Sequence, residues 1–216
     1  MKISESIDLI DGTMGNCYSI KLKGTNVLVD AGTKSGGKKC IEYYKQKGIR
    51  PDIILITHYH PDHIGGLKAL YDEFHPEVFV PDMEVDVIEG KARPTPGKSM
   101  ISRLIGSTMK SQPVSGVKKA SDLHLDEIEV FNTPGHTPGS TSYFLKGEQI
   151  LFVGDAVVTN SGRPSINRAF TSDYEMAQTS MKKIMEHPSR MILSGHGKPY
   201  SKSTEEKVET QSHGQL

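Results

Sequence analysis

The feature that most restricts this chain is a polar cluster placed directly after an apolar run. Ile53-Ile54-Leu55-Ile56 is apolar at every position, and a run without alternation suits a strand covered on both faces. It is followed, after Thr57, by His58-Tyr59-His60-Pro61-Asp62-His63-Ile64-Gly65-Gly66. Three histidines and a carboxylate fall within six positions of a chain that has nine histidines in all. That density does not suit incidental surface histidines. Imidazole nitrogen and carboxylate oxygen are donors that divalent cations accept at neutral pH. A turn past the strand end can aim His58 and His60 to one side and Asp62 and His63 to another.

Three more polar residues stand just past apolar segments. His136 lies in Thr133-Pro134-Gly135-His136-Thr137-Pro138-Gly139, Asp155 in Val153-Gly154-Asp155-Ala156, and His196 in Ser194-Gly195-His196-Gly197. Each has a glycine beside it, which lets backbone approach a crowded site. Four such places at four strand ends form a constellation, because ligands gather where strand ends converge.

The flanking pattern reads as strands and helices around these points. Residues 16–22 alternate, Lys23-Gly24-Thr25 suits a hairpin turn, and 27–29 form a short strand ending at Asp30-Ala31-Gly32. Residues 35–47 predict a helix with Cys40, Ile41, Tyr44 and Lys47 on one stripe and Gly48 as its stop. A strand over 52–57, a helix over 67–74 and a strand over 78–80 follow. Between 82 and 117 the signal weakens; 100–109 suits a helix. Strands are expected over 123–131, 140–145, 150–153 and 191–193. Ser172-Asp173-Tyr174-Glu175 reads as a capping box opening a helix whose stripe is Tyr174, Ala177, Met181, Ile184 and Met185. One domain over 1–201 with a frayed tail over 202–216 is the economical division.

The seven-residue pattern resembles that of the metallo-β-lactamase superfamily: His-x-His-x-Asp-His, then single His, Asp and His, here His58, His60, Asp62, His63, His136, Asp155 and His196. Leu28-Val29-Asp30-Ala31-Gly32 extends the likeness, which covers about residues 15–200. The resemblance implies an α+β fold, a four-layer αββα sandwich with metals at one edge. It implies that His58, His60 and His136 hold one divalent ion, that Asp62, His63 and His196 hold a second, and that Asp155 bridges them. Zinc is the first expectation, with iron or manganese as alternatives. Asp62 is the candidate catalytic residue, and Asp30 is expected to orient a ligand histidine. Tyr59, Arg163 and Arg168 are candidate substrate contacts. His75, His124, His187 and His213 fall outside the pattern.

The chemistry expected of two such ions is hydrolysis by a hydroxide they share. Two dications, two carboxylates and that hydroxide leave about one positive charge, which favours an anionic substrate or a developing oxyanion. A small ester, thioester or lactone is the first expectation, a small phosphodiester or nucleic acid the second, and a non-enzymatic metal-binding module the third. Position 158 is valine where quorum-quenching lactonases carry tyrosine. Only about 20 residues follow His196, too few for the helical domain of glyoxalase II. Histidine at position 60 argues against the diiron flavoprotein branch. Segments 82–117 and 159–170, rich in chain breakers, are expected to shape the pocket.

Composition narrows the partners. Lys+Arg and Asp+Glu both total 26, so no global basic field draws nucleic acid or an anionic membrane. No apolar run approaches the roughly 18 residues of a membrane span, and the first residues lack a signal-peptide core. A cytoplasmic protein acting on a small molecule is therefore expected, its oligomeric state open. Cys17 and Cys40 are expected to be ordinary thiols, Cys17 within a strand.

Overall fold

The computed structural model describes residues 1–95 and 111–202. Two mixed sheets form its centre. The first contains β1 (Ile7–Ile10), β2 (Cys17–Leu22), β3 (Thr25–Val29), β4 (Ile53–Leu55), β5 (Glu77–Val80) and β6 (Lys118–Lys119), adjacent in that order. Its first three strands pair antiparallel, and β3 to β6 run parallel. The second contains β7 (Ile128–Asn132), β8 (Thr141–Leu145), β9 (Ile150–Gly154), β10 (Met191–Ser194) and β11 (Tyr200–Ser201), ordered β11-β10-β9-β8-β7. Here β9 and β10 are parallel and the other pairs antiparallel.

Alternation along the strands decides which face meets which layer. Tyr18, Ile20, Val27, Val29, Ile53 and Leu55 face across to Tyr143, Leu145, Ile150 and Phe152, forming the core between the sheets. The intervening Leu28, Ile54 and Ile56 pack outward against Cys40 and Tyr44 of α1 (Lys34–Lys47) and Leu67 and Leu70 of α3 (Leu67–Phe74). On the far side, Leu151, Val153 and Ile192 meet Ile184 of α5 (Tyr174–Glu186). Helix on sheet on sheet on helix gives the four-layer αββα sandwich. Truncating a buried side chain such as Leu55 to alanine should cost about 3 kcal/mol.

Thr33 caps α1 by accepting the Gly36 N–H, and Gly48 ends it with a left-handed φ of 64°. Several boundaries differ from expectation. The strand expected over 123–131 begins only at Ile128; Leu123 and Leu125 reach the inter-sheet core from outside it. The N-cap of α5 is Asp173, which accepts from Met176 N–H, and Ser172 instead donates to the Gly135 carbonyl. Asp is as good an acceptor as Ser, so the helix starts one residue later. Lys202 is anchored: its Nζ donates to the carbonyls of Ile184, Met185 and His187 at the end of α5. The rest of the expected tail, 203–216, lies outside the described residues. So does the helix expected over 100–109. Strand β1 and the one-turn helices α2 (Pro61–Ile64) and α4 (Val85–Ile88) were not foreseen. Among the described residues no helix is long and apolar enough to cross a membrane.

Candidate metal centre

The chain leaves the C-terminal ends of β3, β4, β7, β9 and β10 at one edge of the sandwich, and the candidate residues sit on those exits. His58 and His60 follow β4, with Asp62 and His63 on α2. His136 lies between β7 and β8, Asp155 follows β9 and His196 follows β10.

Backbone hydrogen bonds fix these loops to one another. Tyr143 donates its hydroxyl to the Ile56 carbonyl at 2.7 Å, and Thr141 N–H reaches the Thr57 carbonyl at 3.0 Å, joining β8 to the start of the histidine turn. The His136 loop is held by α5's approach, where Ser172 and Asp173 N–H groups meet the His136 and Gly135 carbonyls. Asn16 fastens the His196 loop, its Nδ2 reaching the carbonyls of Ser194 at 2.9 Å and Gly197 at 3.0 Å. Gly195 is required there, since a Cβ would lie 2.3 Å from Asp155 Oδ1 and 2.5 Å from His63 Cε1.

All seven pattern residues come together. His60 Nδ1 lies 3.1 Å from His58 Nε2 and 2.8 Å from His136 Nε2. His196 Nε2 lies 3.0 Å from Asp62 Oδ2, and His63 Nε2 lies 3.9 Å from the same oxygen. Asp155 stands between the two sets: Oδ2 is 3.7 Å from His136 Nε2 and 3.4 Å from His196 Nε2, while Oδ1 is 3.5 Å from His63 Nε2. Among the described residues, three groups have donor atoms within 4.8 Å of one another and could hold an ion: His58, His60 and His136; Asp62, His63 and His196; His58, His63 and Asp155.

The electrostatics fit cations at this edge. Burial and neighbouring imidazoles hold His58 well below the ordinary range and His60 down to about 3, so both are neutral donors. Burial likewise lowers His136. Burial also pulls His63 down, but Asp30 and Asp155 outweigh it and raise the ring well above its usual value. The carboxylates respond in kind: burial favours protonation of Asp155, yet His63, His136 and His196 pull it to about 2. Asp62 is held below the usual range because the His196 hydrogen bond and the charges of His63 and His196 overcome its burial. His63 Nε2 and Asp155 Oδ1 are buried without hydrogen-bond partners. Orphaned donors of this type are costly unless something occupies the space between them, and a metal ion would replace the proton that the pair attracts.

Asp30, at the end of β3 with a positive φ of 60°, is almost fully buried. Its carboxylate accepts Thr57 N–H and Thr57 Oγ1–H, both at 2.8 Å, and lies 2.8 Å from His63 Nδ1. That contact directs Nε2 of His63 into the site. Tyr59 is buried in the helix-side core, its hydroxyl donated to the Thr95 carbonyl at 3.4 Å. Arg163 is exposed, and the Arg168 guanidinium lies 4.0 Å over the Tyr174 ring. Sequence reasoning missed Asn16 and Glu84. The second is a buried carboxylate whose only sequence signal is a turn among the charged residues 82–86.

A model of the metallo-beta-lactamase superfamily matches residues 10–196. The chain is similar to the probable metallo-hydrolase YflN of Bacillus subtilis, 29% identical across 86% of this chain and 81% of that protein. It is also similar to the hydroxyacylglutathione hydrolase of Haemophilus ducreyi, 32% identical across 66% of this chain and 50% of that enzyme, so it spans about half that enzyme's length. Among solved structures, the BLEG-1 B3 metallo-beta-lactamase is 29% identical with a TM-score of 0.72, covering 90% of this chain and 92% of that one. TTHA1623 in a di-iron-bound form is 22% identical with a TM-score of 0.71, covering 90% and 93%; at that identity it speaks for the fold alone. With the family match spanning most of its length, this chain belongs to the metallo-beta-lactamase superfamily.

Proposed function

We propose that this chain is a metal-dependent hydrolase with a dinuclear centre that acts on a small ester, thioester or lactone. The observation that carries this reading is the position of Asp155, one oxygen toward His63 and the other toward His136 and His196. In this reading His58, His60 and His136 hold one ion, Asp62, His63 and His196 the other, and Asp155 serves both. When bound, divalent ions acidify water and polarise a carbonyl oxygen.

The chain's own residues supply position and proton control. In this reading Asp62 also orients attacking water; its depressed carboxyl favours accepting a hydrogen bond over storing a proton. Asp30 keeps His63 in one tautomer and one orientation. His196 and Asp62, each about a quarter exposed, mark the side open to substrate.

Acyl chemistry is favoured over phosphodiester cleavage by relatives named hydroxyacylglutathione hydrolase. The arginine contacts point the same way, since Arg168 is engaged with Tyr174. Metal-replete protein of known metal content should be assayed against aryl esters, thioesters, lactones and bis-p-nitrophenyl phosphate. Turnover of at least one acyl class above the phosphodiester is expected. Cleavage of the phosphodiester alone would overturn the substrate reading, and a fully loaded protein inert to all four would overturn the hydrolase itself.

A further inference from the structure

Glu84 belongs to none of the metal-holding groups, yet it is 1% exposed. Among the described residues the buried carboxylates are Asp30, Glu84 and Asp155. Asp30 orients His63 and Asp155 stands in the site, which leaves Glu84 without a role. Burying a carboxylate is unfavourable unless donors surround it, and the donors here come from the loop that carries His136. Glu84 Oε1 accepts the Thr137 hydroxyl and, at 3.2 Å, the Gly139 N–H. Thr137 follows His136 directly. Its single hydroxyl proton goes to the carboxylate, so Ser140 Oγ, 2.7 Å away, donates to Thr137 while accepting the Thr137 N–H at 3.0 Å. Position 139 makes room for Glu84: a Cβ there would lie 2.6 Å from Glu84 Cγ. The other oxygen, Oε2, is buried and makes no hydrogen bond.

We infer that Glu84 is a positioning residue for the His58–His60–His136 group, holding the loop that carries His136 through Thr137 and Gly139. The inference rests on the reading of those three histidines as metal ligands. Glu84 touches no ligand itself and acts through Thr137 and Gly139. Burial lifts its carboxyl to about 7 against the pull of these hydrogen bonds. A neutral side chain of similar size would avoid that penalty, so packing alone does not account for a carboxylate here.

The test is cobalt(II) titration of the apo full-length chain, read by visible absorption and by competition with a chelator. Wild type is compared with Glu84→Gln, Glu84→Leu and Thr137→Val; His136→Ala and His63→Ala identify which absorption belongs to which group. In Glu84→Gln the apo melting temperature at neutral pH should not fall below that of wild type, and the Asp62–His63–His196 group should match wild type. The His58–His60–His136 group should weaken by about 10- to 100-fold, the range for losing an outer partner of a metal ligand. Glu84→Leu should weaken it further, and Thr137→Val, which removes one donor, should act in the same direction even if the Glu84 variants fail to fold. Wild-type affinity at both groups in all three variants would overturn the inference alone. Equal loss at both groups with a lowered melting temperature would reduce Glu84 to a structural role and overturn it too. A wild type that takes up no cobalt would overturn the ligand reading and this inference with it.

Discussion

The two halves of the site are held in different ways. His63 is fixed through its ring: Asp30 faces Nδ1 at 2.8 Å, and the same carboxylate ties down Thr57. His136 has no such partner, and its buried Nδ1 makes no hydrogen bond. Its orientation comes from the backbone of its loop, held by Ser172, Asp173 and the Glu84–Thr137–Gly139 contacts. The halves also differ in wetness. His58 and His136 are each 1% exposed beside a half-buried His60, whereas the Asp62 and His196 side chains keep about a quarter of their surface open around a fully buried His63. One half is the more buried, all-imidazole and positioned by its loop. The other is partly open, contains a carboxylate and is positioned by a buried side chain. Lesions should therefore separate the halves everywhere except at the residue they share.

Asp155 is that residue, and its loss should have the largest effect. Asp155→Ala should reduce metal content at both halves and lower turnover by more than the roughly 100-fold typical of losing an outer partner. Elemental analysis beside steady-state kinetics checks this; wild-type values in both would remove the shared role.

Asp30→Ala should break the His63 half first, because Asp30 meets the His63 ring directly and reaches His58 only through Thr57. It strands three buried donors, which predicts a loss of about 4 kcal/mol in apo stability by urea unfolding. Metal should be lost first from the group containing His63. A variant of unchanged stability would show that the Asp30 contacts contribute nothing net.

Glu84 predicts a pH dependence for the all-imidazole half. Its folded value, about 7, lies above the ordinary 4.5, so the folded state binds the proton more tightly than the unfolded chain. Its contribution is then fully present below about pH 4.5 and lost as pH rises to about 7, at most roughly 3 kcal/mol. The stability of apo Glu84→Gln relative to wild type should rise across that window. A flat difference would contradict the raised value. Arg168→Ala should matter least, about 0.5 kcal/mol from the exposed contact with Tyr174. Turnover of an acyl substrate should stay within about twofold; a selective loss of phosphodiester cleavage would revive the alternative substrate class.

Much of this site is legible in the sequence because metal-ligating chemistry is tied to residue type and must sit where strands end. His58 to His63, His136, Asp155 and His196 announce themselves in that way, and Asp30 follows from its place after an apolar strand. Glu84 does not, because a glutamate among Asp82, Met83 and Asp86 looks like a solvated turn. Its burial arises only when β5 delivers that turn onto residues 137–139. Long strands and helices with regular apolar spacing were readable to within a residue or two. The start of β7 was not, since Leu123 and Leu125 reach the core without strand pairing. The anchoring of Lys202 was also hidden, because its partners are carbonyls at the end of α5.

The central claim is a pair of metal positions sharing Asp155, and counting bound metal tests it most directly. Apo protein reloaded with zinc and freed of excess should hold two ions per chain by elemental analysis. His63→Ala and His136→Ala should each retain about one. One ion in the wild type, unchanged by both substitutions, would contradict the claim.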